Sequence, residues 1–291
     1  MSEAIGFIGV GAMGSALAGR LVDSYSLHVY DLNRAAADEL VDKGAVFAAP
    51  QDIARTCKRV LLSLPGPADV HDLLLGEDGL VHHLAPGSVV IDTTTGAPTM
   101  DGEIAAALSS GSIQFADAGV AGGVRGIRAG TGTLMVGASS ATYAQIEDLL
   151  QCITPTVFHV GGVGAGHTVK LVNNLLNSCN RFAALEAARL GEANGLSRDA
   201  IIEVLNKSTG RSFVTEYTFT QLLNGDTWKP QGFTIDLMRK DLGLATDLAK
   251  DLGHETPIGN LVQGFVDTAI ERLGPRTDQS QMMAEWYMIN K

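Results

Sequence analysis

The sequence predicts two domains, an N-terminal doubly wound α/β sheet and an all-helical C-terminal part, joined by one long helix. Three observations carry this. Short apolar runs alternate with helix-compatible ones as far as Val160, and that alternation is gone after Gly195. Between them the glycine-rich turn Gly164-Ala165-Gly166 opens a run rich in Leu, Ala, Glu and Asn. That run reads as one helix from near His167 to near Asn194, stopped by Gly195. The expected boundaries are 1–163, 164–195 and 196–291. Apolar residues of the long helix, among them Val169, Leu171, Val172, Leu175 and Leu176, cover more than one face, as in a strut buried on several sides.

The first strand, residues 4–10, runs into Gly9-Val10-Gly11-Ala12-Met13-Gly14 and a helix-compatible stretch. This is G-x-G-x-x-G at a strand-to-helix turn. Gly9 permits the turn, Gly11 lets a pyrophosphate approach the backbone, and Gly14 brings the helix close to the sheet. The second strand, 27–30, ends at Asp31, where the adenosine ribose of a dinucleotide should lie. A carboxylate there favours NAD, since it accepts from both ribose hydroxyls and repels a 2′-phosphate. Arg34 pulls the other way, because an arginine just past the strand can pair with that phosphate and admit NADP.

Strands at 60–64 and 88–92 follow, ending in Leu64-Pro65-Gly66-Pro67 and Thr93-Thr94-Thr95. Both end where a doubly wound sheet presents its ligand crevice. The three hydroxyls can cap the next helix or contact a ligand, and the two uses are compatible. From Gln114 the chain reaches Gly119-Val120-Ala121-Gly122-Gly123-Val124-Arg125, then a strand at 133–136 and another at 157–160. The Gly122-Gly123 pair makes a turn whose N–H groups suit a carboxylate, unless it is an ordinary glycine hairpin flanked by solvated Arg125 and Arg128.

In the long helix Lys170, Asn173 and Asn174 stand at i, i+3 and i+4 and share one face. A lysine and two amides on a buried helix end are costly unless they bind something. Beyond Gly195, residues 199–206, 213–223, 235–252 and 259–273 read as helices. Met238-Arg239-Lys240-Asp241-Leu242 places charges early in the third of them.

Composition sets the bounds. The 291 residues give ample core for two domains, and 45% hydrophobic with 18% charged residues excludes a disordered chain. No apolar run approaches the roughly 18 residues of a bilayer span. The start, Met-Ser-Glu-Ala-Ile, carries an acid where a signal peptide has a base, so a cytoplasmic protein is expected. A net charge of −11 argues against a nucleic-acid partner, leaving local Arg and Lys to hold any anionic ligand. Cys57, Cys152 and Cys179 lack ligand spacing and read as buried free thiols. No metal is expected: the seven histidines show no ligand pattern, and His167 reads as lying on a glycine turn without partners.

Taken together, Gly6 to Gly14, Leu64-Pro65, Asp92 to Thr95, Gly122-Gly123, Gly164 to Asn174 and Lys240-Asp241-Leu242-Gly243 resemble the β-hydroxyacid dehydrogenases over nearly the whole chain. That family includes 3-hydroxyisobutyrate dehydrogenases, tartronate semialdehyde reductases and the shorter relatives of 6-phosphogluconate dehydrogenase. The resemblance implies a Rossmann-type first domain and hydride transfer between a nicotinamide cofactor and a small β-hydroxy acid or its semialdehyde. It implies Lys170 as general acid/base and Asn174 as a substrate contact. Gly122 and Gly123 would hold the substrate carboxylate, and Lys240 would lie beside cofactor and substrate. Leu64, Pro65 and Thr95 would touch the dinucleotide together with Gly9, Gly11, Ala12, Met13 and Gly14. A homodimer or homotetramer is expected. Two competing readings are a non-catalytic dinucleotide-binding sensor or scaffold, which would lack the lysine, and an imine reductase, which usually replaces it.

One departure stands out. Many members carry a serine just before the Gly-Gly pair, whose hydroxyl bonds the substrate carboxylate; here it is Ala121, and Gly119 stands where a proline is common. Either Arg125, with Arg211 from the helical part, supplies the substitute donor, or Arg125 points to solvent and a water fills the gap.

Overall fold

Along the strands of the N-terminal half, neighbouring residues serve different cores, as a pleat covered on both faces requires. Ile5, Phe7, Leu61, Val89, Ile91, Ala116 and Ala118 face one core. Ile8, Val60, Leu62, Val90 and Phe115 face the other. The computed structural model describes residues 3–220 and 230–289. It divides into two units, Met1–Lys170 and Leu171–Lys291.

The first unit is built on an eight-stranded sheet of order β3-β2-β1-β4-β5-β6-β7-β8. Its strands are β1 (Ala4–Ile8), β2 (Ser26–Tyr30), β3 (Val46–Phe47), β4 (Arg59–Leu62), β5 (Val89–Asp92), β6 (Gln114–Ala121), β7 (Thr133–Gly137) and β8 (Thr156–Gly161). On the first face lie α1 (Ala12–Ala18), α2 (Asp38–Asp42), α6 (Gly123–Arg128) and α7 (Ser140–Ile153). On the other lie α3 (Pro50–Thr56), α4 (Pro67–Leu75) and α5 (Pro98–Ser109). The strand order reverses at β1, which pairs in parallel with both β2 and β4. The ligand crevice of such a sheet opens there.

Two features depart from expectation. The segment after Gly122-Gly123 is the short helix α6, so the glycine pair opens a helix and no hairpin forms. And β6 pairs with β7 antiparallel, unlike the other neighbours. The connection at 122–132, carrying only a six-residue helix, is short for a parallel crossover and returns the chain in the opposite direction. The two-residue β3 and a C-terminal helix were not anticipated from the periodicity.

Helix α8 (Ala165–Ala193) is the long helix. Gly195, at φ +84°, ends it in the left-handed conformation that glycine adopts without strain. Its flanks are not buried on all sides: Val169, Val172 and Leu176, expected inside, are exposed. These positions form a stripe at i, i+3 and i+7 that the single chain leaves uncovered.

The second unit is helical. Phe182, Leu185 and Ala188 of α8 pack with Ile202 of α9 (Arg198–Asn206) and with Val214 and Phe219 of a π-helical turn, Val214–Phe219. The same core takes residues from α10 (Ile235–Asp251), α11 (Pro257–Leu273) and α12 (Gln279–Ile289). Asp278 starts α12 by accepting the backbone N–H of Ser280 at 2.9 Å. The expected helix at 213–223 is thus a π turn over its first part, and residues 221–223 lie outside the described residues.

Candidate active site

At the carboxyl ends of β2, β1, β4 and β5, backbone hydrogen bonds hold the loops side by side. Gly9 N–H donates to Tyr30 O, Ser63 N–H to Ile8 O and Thr93 N–H to Leu62 O, at 2.8–3.0 Å. A Cβ on Gly14 would stand 1.9 Å from Gly9 O, so α1 reaches its approach to β1 only with glycine there. A Cβ on Gly11 would meet nothing within 4 Å. The loop is therefore closed on its sheet side and open where a pyrophosphate would rest, against the N–H groups of Ala12 and Met13 at the start of α1. These residues fit a dinucleotide.

Asp31 is already engaged. Its Oδ2 accepts the N–H of Val10 and its Oδ1 that of Asn33, both at 2.8 Å, which ties the end of β2 to the glycine loop. Arg34 opens the next turn, its guanidinium 4.4 Å from the Phe47 ring centroid and 2.5 Å from Asp38. Of the three threonines, Thr93 Oγ1 donates to Leu62 O and Thr94 Oγ1 accepts the N–H of Leu64. Neither caps α5, whose N-cap is Ala97. The capping role is thus corrected: these hydroxyls brace β4 against β5 and hold Leu64-Pro65, leaving Thr95 as the half-buried hydroxyl at the rim.

Lys170 sits on α8 against β6. A Cβ on Gly119 would lie 2.6 Å from the Lys170 Cβ and 3.0 Å from Gly166 O, so the helix rests directly on the strand that leads to Gly122-Gly123. Those two glycines have φ +104° and +66°. Successive positive values suit glycine alone and form a concave backbone turn. Gly123 opens α6, so its N–H has no acceptor within the helix. Arg125 lies in α6 and is exposed; Arg128 is 4.0 Å from Glu39.

The start of α8 is held by acids the sequence reading passed over. Asp117 of β6 accepts the N–H of Gly164 at 2.6 Å and of His167 at 2.7 Å. His167, expected without partners, is fully buried, with Nδ1 2.8 Å from Asp101 Oδ2. Its ring occupies the space that a Gly96 side chain would take, 2.2 Å from Nδ1. Burial works against its charge, but the Asp101 hydrogen bond and charge, with Asp92 and Asp117 nearby, hold its pKa up to about 9. Burial raises Asp92 to about 6, and it also raises Asp117.

In the second unit Asn174 Nδ2 donates to Asp241 Oδ2 at 2.7 Å, and Lys240 Nζ lies 3.6 Å from Asp241 Oδ1. Asp241, 4% exposed, thus orients two residues singled out from the sequence. Asn173 is exposed rather than buried and donates to Asn174 Oδ1 at 3.2 Å. Arg211 is 3.5 Å from Glu216.

Comparison with known proteins gives the family. Residues 4–161 match the family described as the NAD binding domain of 6-phosphogluconate dehydrogenase. Residues 164–286 match the family described as NAD-binding of NADP-dependent 3-hydroxyisobutyrate dehydrogenase. A 2-(hydroxymethyl)glutarate dehydrogenase of Eubacterium barkeri is 35% identical over 97% of this chain and 94% of its own length. The chain belongs to the β-hydroxyacid dehydrogenase family. An NAD-dependent L-serine dehydrogenase of Pseudomonas aeruginosa is 36% identical, covering 88% of this chain and 89% of its own. The Mycobacterium tuberculosis 3-hydroxyisobutyrate dehydrogenase, solved with L-serine, superposes with a TM-score of 0.88 at 28% identity, over 98% of this chain and 99% of that one.

The protein is accordingly an NAD(P)-dependent oxidoreductase of this dehydrogenase family. Among the described residues no helix is long and apolar enough to cross a membrane. Its three cysteines are free; Cys57 is buried, whereas Cys152 and Cys179, expected inside, are only half-buried. The residues missed from sequence were all acids or their partners: Asp101, Asp117, His167 and Asp241. Only Asp241 carried a signal, its place beside Lys240. The others act across distances in sequence that periodicity does not register.

Proposed function

We propose that this dehydrogenase oxidises a small β-hydroxy acid to its semialdehyde, or reduces the semialdehyde, with Lys170 as general acid/base. When bound, the nicotinamide takes or returns the hydride at the carbinol carbon. The chain's own task is then the proton. As the carbonyl forms, the hydroxyl O–H breaks and its proton passes to Lys170 Nζ, which must be neutral to receive it; in reduction the ammonium gives it back. The observation that carries this reading is the seating of Lys170 on Gly119, on the strand that runs straight into the Gly122-Gly123 turn.

In this reading the N–H groups of Gly122 and Gly123 hold the substrate carboxylate, assisted by Arg125, and Asn174 and Lys240 contact the substrate. Gly9, Gly11, Ala12, Met13, Gly14, Asp31, Leu64, Pro65, Thr95 and Lys240 hold the cofactor, with Arg34 at its ribose end. NAD is the preferred form because Asp31 places a carboxylate at the ribose. The exposed stripe of Val169, Val172 and Leu176 supports assembly as a homodimer or homotetramer. We place the enzyme in the cytoplasm. A non-catalytic sensor and an imine reductase are not favoured, since relatives at 35% and 36% identity are named as dehydrogenases.

The test is consumption of NADH and NADPH against a panel of small semialdehydes, with oxidation of the matching hydroxy acids as the reverse assay. Turnover of at least one acid–semialdehyde pair is expected. Turnover of imines alone, or of nothing while cofactor binds, would replace the reading.

A further inference from the structure

The first turn of α8 contains an arrangement that is expensive by every simple measure. His167 stands at the amino end of a 29-residue helix, where the dipole disfavours a cation, and it is fully buried. Its partner Asp101 is 2% exposed. Taking such a pair out of water is seldom stabilising compared with apolar residues of the same volume. What the pair achieves is geometric. Asp101 comes from α5, Gly96 from the loop between β5 and α5, and Asp117 from β6. All three converge on His167: Asp101 on Nδ1 at 2.8 Å, Gly96 against the ring, and Asp117 on the backbone N–H at 2.7 Å. Lys170 follows at i+3, on the neighbouring position of the same helix face. Thr95 precedes Gly96 directly.

A metal centre is the competing explanation, because Asp92, Asp101 and His167 place ligand atoms within 4.8 Å of one another. The Nδ1 to Oδ2 separation of 2.8 Å is that of a direct hydrogen bond, so Nδ1 is already used. That leaves Nε2 and two carboxylates in a fully buried space, short of the four ligands of a structural zinc site.

We propose that Asp101 and His167 are positioning residues that lock the first turn of α8 to the Thr95 loop and so fix Lys170 relative to the cofactor side of the crevice. The inference rests on the reading of Lys170 as acid/base. The imidazole acts as a spacer with a donor at Nδ1, not as a proton carrier.

The experiment compares H167A, H167N and G96A with wild type, and with K170A as the control on the underlying reading. Misplacement of about 1 Å can cost on the order of 100-fold, so H167A should lose roughly 10- to 100-fold in kcat per folded molecule. Its KM for NAD(P)H should stay within about twofold. Asparagine places an N–H donor near the position of Nδ1, so H167N should recover kcat to within about threefold of wild type. In the apo protein, amide hydrogen exchange at residues 165–170 should be faster in H167A and restored in H167N.

If H167A does not fold, G96A delivers the same displacement through one methyl group and should also lower kcat. A purely structural pair would lower the melting temperature while leaving kcat per folded molecule at the wild-type value in H167A or G96A; that result overturns the proposal. So does stoichiometric metal bound to the purified wild type. If K170A keeps normal turnover, the acid/base reading fails instead. If K170A is inactive and H167A normal, only the positioning role fails.

Discussion

Gly119 and Lys170 touch across the interface of β6 and α8, at a spacing that leaves no room for a side chain on Gly119. A Cβ there would meet the Lys170 Cβ at 2.6 Å, and neither atom lies at the flexible end of a chain. Gly119→Ala must therefore push α8 away from the strand. Overpacking of this kind costs about 1–3 kcal/mol. We expect a lower melting temperature and a fall in kcat larger than the rise in KM. A variant with wild-type stability and turnover would show that the helix yields freely and that its seat on β6 is irrelevant to the chemistry.

Lys170→Ala removes the amine without altering the Gly119 seat. Loss of a general acid/base should lower kcat by about 10²–10⁴-fold. Cofactor affinity, measured by quenching or enhancement of NAD(P)H fluorescence, should be nearly unchanged. Retained turnover on the best substrate would remove Lys170 from the mechanism.

What the sequence revealed and what it hid follow from the range of the interactions. The strand–glycine–helix turn at Gly9 to Gly14, the end of β2 at Asp31 and the course of α8 are local patterns, and each is written in consecutive residues. The antiparallel return of β7 is not, because it depends on how α6 uses a short connection. The buried cluster of Asp92, Asp101, Asp117 and His167 joins three β-strand and helix elements to α8, across 66 residues in the Asp101–His167 pair. Nothing in the spacing of these residues announces it. The threonines at 93–95 were legible as ligand or cap residues, but only packing reveals that two of them brace the β4 loop.

We expect cofactor preference to turn on Asp31. Its carboxylate already receives the backbone N–H groups of Val10 and Asn33, which fix it at the end of β2. We expect kcat/KM to favour NAD(H) in the wild type. Asp31→Ser should shift the ratio toward NADP(H), and Asp38→Ala should add to the shift by releasing Arg34 from its exposed ion pair. A wild type that prefers NADP(H) would show that Arg34 outweighs Asp31.

The buried histidine makes a prediction about pH. His167 is held up to about 9 against its burial by Asp101, Asp92 and Asp117, while an unfolded histidine titrates near 6.5. Between those values the native state holds more protons than the unfolded chain. The contribution is therefore complete below about pH 6.5 and is lost as pH rises through about 9. Asp92, raised to about 6 by burial, acts in the same direction at lower pH: stability falls as it ionises. The histidine contribution is on the order of 3 kcal/mol, so the melting temperature should drop by roughly 5 °C from about pH 6.5 to 9.5. His167→Asn should flatten that drop. An equal drop in the variant would assign the dependence to other groups.

The last prediction concerns the donor missing at Ala121. In this family many members bond the substrate carboxylate with a serine hydroxyl at this point, and a hydrogen bond to a charged group is worth roughly 1.5–3 kcal/mol. Ala121 ends β6, and the next backbone donors are the N–H groups of Gly122 and Gly123. Arg125 follows in α6 with its side chain exposed, while Arg211 has Glu216 at 3.5 Å. Arg125 thus stands two residues past the glycine pair, on the helix that the pair opens. Its bidentate guanidinium suits a carboxylate or a sulfonate. Arg125→Ala should raise KM by about 10-fold or more with kcat little changed, since a contact equal in ground and transition states acts on binding alone. Ala121→Ser should then bring little gain in the wild type and a partial rescue in the Arg125→Ala background. If instead Arg125→Ala leaves KM unchanged and Ala121→Ser lowers it, the arginine takes no part, and the pocket simply binds its substrate with one donor fewer.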